Sequence, residues 1–493
     1  VQRPFHHESL RIHEIADARA LRHDGAPAPR WSRARCDIPE GVSLRPLAFP
    51  DPSQPTLNLS AREQAARIHD GTLRAVDLTA MYLDRIAQLD GRVGAMVHVM
   101  AERALAEAAK LDALRARGVR VGPFHGVPTA VKDLHFLRGA PVRLGSRAFS
   151  WLWSPYDDRI VRALRRAGFV ILGKTSTSEL ALLPIVETDL HPPTRNPWDL
   201  TRSAGGSSGG AGAAVAAGFV PVAPGSDGAG SIRIPSALNG LVGLKPSRHL
   251  VPDDSDRIDV HRMTTCGPMG RCVDDTAALL DVLAAPGRAG RFFDASRAKV
   301  PPLRIGVMVD PPFGETDPRI VACVREAAAV LRDAGHTLEE RPRVAGNVEE
   351  FIPVYQSLFA RIPVISSSRL QPVVRWFRDE GKRHSHAFVR ERFTELAARA
   401  VRAMGDVDVM LTPTTAMMAP KVGEFRGLGP RELFQAVSPL GAFTATSNLS
   451  GYPAISAPFG HIEGMPVGVQ LIGRPGDDGT LLALSRLLEG IAV

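Results

Sequence analysis

Apolar residues recur at helical spacing over 61–89 and 98–117, as in Leu78, Met81, Tyr82, Ile86 and Leu89. This period predicts two amphipathic helices behind a start signal at Asn58-Leu59-Ser60. A short apolar run, Pro128 to Val131, predicts a strand that ends on Lys132, followed by a helix over 157–167 and a strand over 169–172. The segment AGAAVAAGFVPVA, 211–223, is small and apolar throughout and predicts a buried helix running into a buried strand. Residues 251–271 are polar and read as irregular. Beyond them the pattern predicts a helix over 273–284 and a Gly/Pro/Arg-rich break over 286–302. A strand–helix–strand unit over 303–308, 317–334 and 337–340 follows. Then come helices over 347–361 and 384–404, a strand over 408–411, a helix over 430–448, strands over 453–457 and 467–473, and a last helix over 479–490. No internal repeat is present. The alternation predicts an α/β fold with a large mixed central sheet, parallel and antiparallel, covered by helices on both faces. Residues 1–57, weakly periodic and rich in Arg, His and Pro, are expected to form an N-terminal extension packing on a single domain of residues 58–493.

Composition narrows the class. The net charge of +8 is spread along the chain. Arg162, Arg165 and Arg166, and Arg390, Arg392, Arg399 and Arg402, recur on predicted helices and read as solvated faces. Aromatics are not interleaved with them, so no nucleic-acid footprint is expected. The four cysteines, Cys36, Cys266, Cys272 and Cys323, form no C-x-x-C pair and fit reduced thiols in a cytoplasmic protein. No apolar run has the length of a membrane span, and the opening residues do not form a signal peptide. The chain begins on valine, which fits a trimmed start. Asn58 and Asn448 lie in glycosylation sequons, but nothing else suggests secretion.

Candidate chemistry concentrates in Gly205–Pro246, where two serine clusters sit in glycine: GGSSGG at 205–210 and SDGAGS at 226–231. Flexible linkers share this composition, but the apolar segment between the clusters argues for loops held at the ends of buried elements. Two other patterns mislead. GFVILGKT, 168–175, fits a phosphate-loop expression, yet its middle is an apolar β-rich run. Ser296-Arg297-Ala298-Lys299 fits S-x-x-K but lacks companion elements. No histidine has a comparable glycine frame, no G-x-S-x-G surrounds Ser231, and no H-E-x-x-H is present. Ser–Lys chemistry remains. Lys132 is either a snorkelling lysine with its head in water or a buried one whose lowered pKa lets it act as a base. A second serine can relay a proton between lysine and nucleophile, and the N–H groups of Gly228, Ala229, Gly230 and Ser231 can form an oxyanion hole.

The segments GVPTAVKD (126–133), GGSSGG (205–210) and SDGAGSIRIPSALNGLVGLKP (226–246), with GKTSTSEL (173–180) and TRNPWDLTRSA (194–204), resemble the amidase signature hydrolases. The resemblance runs from about residue 58 to the end and is weakest over 285–405. It implies the amidase signature fold and a Ser–cis-Ser–Lys triad. Ser231 is then the nucleophile, Ser207 the bridging serine after a cis peptide bond, and Lys132 the base. Ser208 and Asp227 support the hydrogen bonds, and Arg233 is structural. The implied reaction is cleavage of a carboxamide C–N bond through an acyl-enzyme, releasing a carboxylic acid and an amine or ammonia. No metal or organic cofactor is implied. The expected partners are a small amide-type substrate and, at most, a second copy of the chain in a homodimer, with no nucleic acid and no membrane, as befits a cytoplasmic bacterial enzyme. Alternatives are a carbamate, anilide or ester hydrolase with the same triad, the glutamine-hydrolysing subunit of a tRNA-dependent amidotransferase, and a non-catalytic binding protein. Two segments depart from the family pattern: Ala229 replaces a glycine of the usual D-T-G-G-S, and residues 134–146 lack the usual threonines. Leu180, Leu182, Leu183, Pro184, Ile185 and Phe443 suggest an apolar acyl or aryl substrate.

Overall fold

A computed structural model describes Leu47 and residues 51–254, 258–285 and 291–489. The expected extension therefore lies outside the described residues, apart from Leu47 and 51–57.

Eight strands form the main sheet. In spatial order they are Thr337–Glu340, Arg304–Val307, Val409–Pro413, Met465–Ile472, Ala454–Ile462, Val242–Lys245, Thr265–Gly270 and Val222–Asp227. The first three run parallel, and every later pairing is antiparallel. Val409–Pro413, Met465–Ile472, Val242–Lys245 and Thr265–Gly270 are buried along their whole length, as strands covered on both faces are. A separate sheet of three strands, ordered Met96–Val99, Val170–Thr175, Pro128–Lys132, carries the candidate lysine at its edge. The two sheets meet where Thr129 Oγ1 donates to Val222 O at 2.9 Å. That contact sets Pro128–Lys132 beside Val222–Asp227, so Lys132 and the second serine cluster leave their strands at the same place. The mixed α/β architecture agrees with the sequence pattern.

Element boundaries differ in instructive places. The first helical stretch is broken into Ala61–Asp70 and Ala75–Val93, because Gly71 caps the first helix with its N–H on Ile68 O. The start signal at Ser60 is real: its side chain and that of Glu63 form a capping box. Helix Ala101–Ala116 is preceded by a four-residue strand, Met96–Val99, too short to show a period. The expected helix over 430–448 is interrupted at Pro439 and Gly441, leaving Pro430–Val437 and Ala445–Ser450. The helix Pro372–Gly381 is an addition that the sequence pattern does not anticipate.

The largest correction is Thr265–Gly270, expected to be irregular and found as a strand between two others. Its Gly267 and Pro268 are poor strand formers. Glycine is required there, since a Cβ on Gly267 would lie 2.2 Å from Leu244 O. The phosphate-loop pattern ends in a fully buried strand, Val170–Thr175, with no loop to cradle a phosphate. Its Lys174 is committed to Asp133, 3.2 Å away, and to the carbonyls of His135 and Pro141. Among the described residues no helix is long and apolar enough to cross a membrane.

Candidate active site

Lys132 ends its strand with no exposed surface. Its Nζ is 2.7 Å from Ser207 Oγ, 2.9 Å from Ser208 Oγ and 2.9 Å from Ser226 Oγ. The snorkelling reading therefore fails: the head group is in the interior, among hydroxyls. Burial pulls its pKa from 10.5 down to about 7, against weaker opposing effects of Cys266 and Asp227. Ser207 follows a cis peptide bond from Gly206. Ser208 is locked to the second cluster: its Oγ donates to Ser226 O at 3.1 Å and accepts the Ser226 N–H at 3.2 Å. Its N–H also donates to Ser231 O at 3.2 Å. The two serine clusters are thus stitched together by backbone and side chain.

Asp227 and Arg233 are both fully buried and form the frame of the second cluster. Arg233 uses all five of its N–H groups: on both Asp227 oxygens, on Thr444 O, on Gln470 Oε1 and on Asn448 Oδ1. Burial alone would raise the Asp227 pKa, but the charge and hydrogen bonds of Arg233, with help from Lys245 and Asn448, outweigh it and bring it down to about 2. The Asp227 carboxylate in turn accepts the N–H of Gly230 at 2.7 Å and of Ile232 at 3.1 Å, which shapes the turn carrying Ser231. The Gly230 N–H is therefore spoken for, a correction to the expected set of four oxyanion donors. The N–H groups of Gly228, Ala229 and Ser231 make no hydrogen bond among the described residues.

Thr444 supports the same turn from outside, its Oγ1 donating to Ala229 O at 2.6 Å. Gly230 needs to be glycine beside it: its φ is +129°, and a Cβ would lie 2.2 Å from Thr444 Oγ1. Gly230→Ala is expected to shift this turn and lower kcat/KM on the order of 100-fold, the cost of misplacing a reacting group by about 1 Å. Steady-state kinetics beside a far-UV spectrum would separate this from unfolding.

Ser231 lies at the junction of two cavities. One, of about 120 Å³, is lined by Leu182, Pro184, Ala229, Phe351 and Phe434 among others. The other, of about 380 Å³, also includes Ser207, Ser226, Gly228 and Leu180 in its wall. Tyr355 touches both. Of the six residues expected to form an apolar pocket, Leu183, Ile185 and Phe443 line neither cavity; they are core. Lys132 and Ser207 are brought together, whereas no hydrogen bond joins Ser207 to Ser231 among the described residues. Sequence reasoning does not assign Ser226, Thr444, Asn448 or Gln470 to the site. Asn448 stands out there only as a sequon, a reading its complete burial excludes.

Residues 77–482 match the family model described as Amidase. The chain belongs to the amidase family. It is 36% identical over 459 residues to a glutamyl-tRNA(Gln) amidotransferase subunit of Symbiobacterium thermophilum, covering 84% of this chain and 93% of that one. It is 32% identical over 464 residues to an acylamidase of Rhodococcus erythropolis, covering 88% and 95%. Among solved structures it matches a bacterial aryl acylamidase of the amidase signature family with a TM-score of 0.81, at 26% identity over 88% of this chain and 96% of that one. This amidase is accordingly a hydrolase of amide C–N bonds with the amidase signature fold.

Proposed function

We propose that this amidase works through a Ser231 acyl-enzyme, with Ser207 as proton relay and Lys132 as base. The observation that carries the reading is the Lys132 ammonium site: three hydroxyl oxygens within 2.9 Å in a fully buried setting. A protonated amine can donate to all three. A neutral amine has two N–H bonds and one lone pair, so one hydroxyl must donate to it. Ser208 has already given its hydrogen to Ser226 O, and the contact to Ser207 is the shortest. Neutral Lys132 therefore takes the Ser207 proton, and Ser207 takes that of Ser231 once substrate tightens the approach, as catalytic contacts commonly do.

Ser231 Oγ then adds to the amide carbonyl. The free N–H groups around Gly228, Ala229 and Ser231 stabilise the oxygen that becomes negative. The C–N bond breaks as Ser207 returns a proton to the leaving nitrogen and regains one from Lys132. Water adds to the ester in the same way, with Ser231 as leaving group, and releases the acid.

The pH profile tests the base. Because the Lys132 pKa lies at about 7 and not at 10.5, the active neutral form accumulates as pH rises through 7. The logarithm of kcat/KM is expected to climb with unit slope below that point and level off above it. A flat profile from about pH 5.5 to 9 would exclude Lys132 as the base.

The likeness to an amidotransferase chain supports a second reading, glutamine hydrolysis within a complex. Glutaminase activity together with a co-purifying partner chain would favour it; hydrolysis of simple amides by the isolated chain favours the first.

A further inference from the structure

The helix Val348–Ala360 runs along both cavities that meet at Ser231. Phe351 lines the smaller and Phe359 the larger, while Tyr355, four residues from each, lines both. Residues four apart share one face of a helix, so these rings form a row that passes from one cavity to the other. Ser231 and Tyr355 are the two described residues that border both cavities. A substrate that reaches into both, with its scissile bond at Ser231, therefore passes between this serine and this ring. The ring has little freedom to move aside. Its centroid lies 5.2 Å from that of Phe351, 5.1 Å from Phe359, 5.9 Å from Phe377 and 6.2 Å from Phe434. The contacts with Phe359 and Phe377 are edge to face, and that with Phe351 is stacked. The Tyr355 hydroxyl donates to Leu182 O at 3.2 Å, which ties the far end of the ring to a residue of the smaller cavity. A side chain packed and bonded in this way is a fixed wall, not a swinging gate.

Two positions decide which part of a substrate meets the ring. The nitrogen that leaves must receive a proton from Ser207, and Ser207 lines the larger cavity of about 380 Å³ but not the smaller one of about 120 Å³. Gly228 borders the larger cavity and Ala229 the smaller, so a carbonyl oxygen that meets their N–H groups lies at the boundary. The amine then extends into the larger cavity, and the carbon next to the carbonyl enters the smaller one beside Tyr355. The larger cavity also carries Asp158, Asp253, Asp254 and Asp259, with no lysine or arginine among its described lining residues. That acidic bias acts on the amine side and leaves the fit of the acyl carbon to the apolar wall.

We propose that Tyr355 is a specificity-determining residue whose fixed ring admits acyl groups unbranched at the carbon next to the carbonyl and excludes branched ones. The preferred substrates are then N-substituted amides of straight-chain acids. This assignment rests on the Ser231–Ser207 reading, since Ser207 fixes which side the amine takes.

The test compares kcat/KM for propionanilide and isobutyranilide, in the wild-type enzyme and in Tyr355→Leu and Tyr355→Phe. The two anilides share their amine and differ by one methyl on the carbon next to the carbonyl. Propionanilide is expected to be the faster by about tenfold or more in the wild type, the discrimination that a close apolar wall exerts on one added carbon. Tyr355→Leu removes the ring and should lower that ratio by about tenfold. Tyr355→Phe keeps the ring and should leave the ratio within about twofold of the wild type. The intrinsic reactivity of each anilide and the folded fraction of each variant cancel between the ratios. An unchanged ratio in Tyr355→Leu, a fall of equal size in Tyr355→Phe, or a wild type that favours isobutyranilide overturns the proposal. So does turnover of primary amides with none of either anilide, which leaves the Ser231 mechanism standing. Failure of that mechanism has a different signature, full activity in a Ser231→Ala variant.

Discussion

Replacing Ser231 with alanine is expected to lower amide hydrolysis by at least about 10⁴-fold while leaving the fold intact, since removing a nucleophile disables the whole relay. The structural side follows from what Ser231 contributes to packing. Its backbone carbonyl accepts the Ser208 N–H, and alanine keeps that bond. Its hydroxyl makes no hydrogen bond among the described residues, so little stabilisation is lost with it. The unfolding free energy should stay within about 1 kcal/mol of the wild type, as for substitutions away from packing or networks. An active-site-directed phosphonofluoridate should label the wild-type enzyme on Ser231 and leave the variant unlabelled. More than a few per cent of residual activity, or label on another serine, would remove Ser231 from its role.

Arg233→Met is expected to produce the largest loss of stability, about 3–5 kcal/mol, read from the denaturant midpoint. The guanidinium is the counter-charge of a carboxylate with no exposed surface. Removing one partner leaves Asp227 ionised and uncompensated, or forces it to take up a proton. Gln470, Asn448 and Thr444 O would each lose a donor as well. Activity should fall with stability, because the same carboxylate holds Gly230 and Ile232 in the turn that carries Ser231. The double variant Asp227→Asn with Arg233→Met removes both charges and should recover part of the stability, because a missing pair costs less than a broken one. A single variant as stable as the wild type would show that this pair is not the frame of the loop.

Much of the site was legible because its parts are close in the chain. Ser207, Ser208, Asp227, Ser231 and Arg233 lie in one glycine-framed stretch, and Lys132 ends a short apolar strand. What escaped notice depends on distance or on competition between local and tertiary preferences. Thr444, Asn448 and Gln470 reach Arg233 across 211, 215 and 237 positions, and nothing local marks a threonine, an asparagine or a glutamine as a partner. Thr265–Gly270 became a strand although glycine and proline oppose it, since the sheet needs a chain without a Cβ beside Leu244 O. Gly230 reads as an oxyanion donor until Asp227 is seen to hold its N–H.

The long reach of Arg233 has a consequence for how the protein is made. A ribosome adds roughly 5–20 residues per second. Arg233 is synthesised 237 positions before Gln470, so roughly 10–50 seconds pass before its last partner exists. Throughout that interval the nascent chain carries an Asp227–Arg233 loop that cannot yet be buried with all its hydrogen bonds made. A message cut short between Pro246 and Gln470 would therefore yield every motif quoted above without the full set of partners for Arg233, a species for proteases to clear.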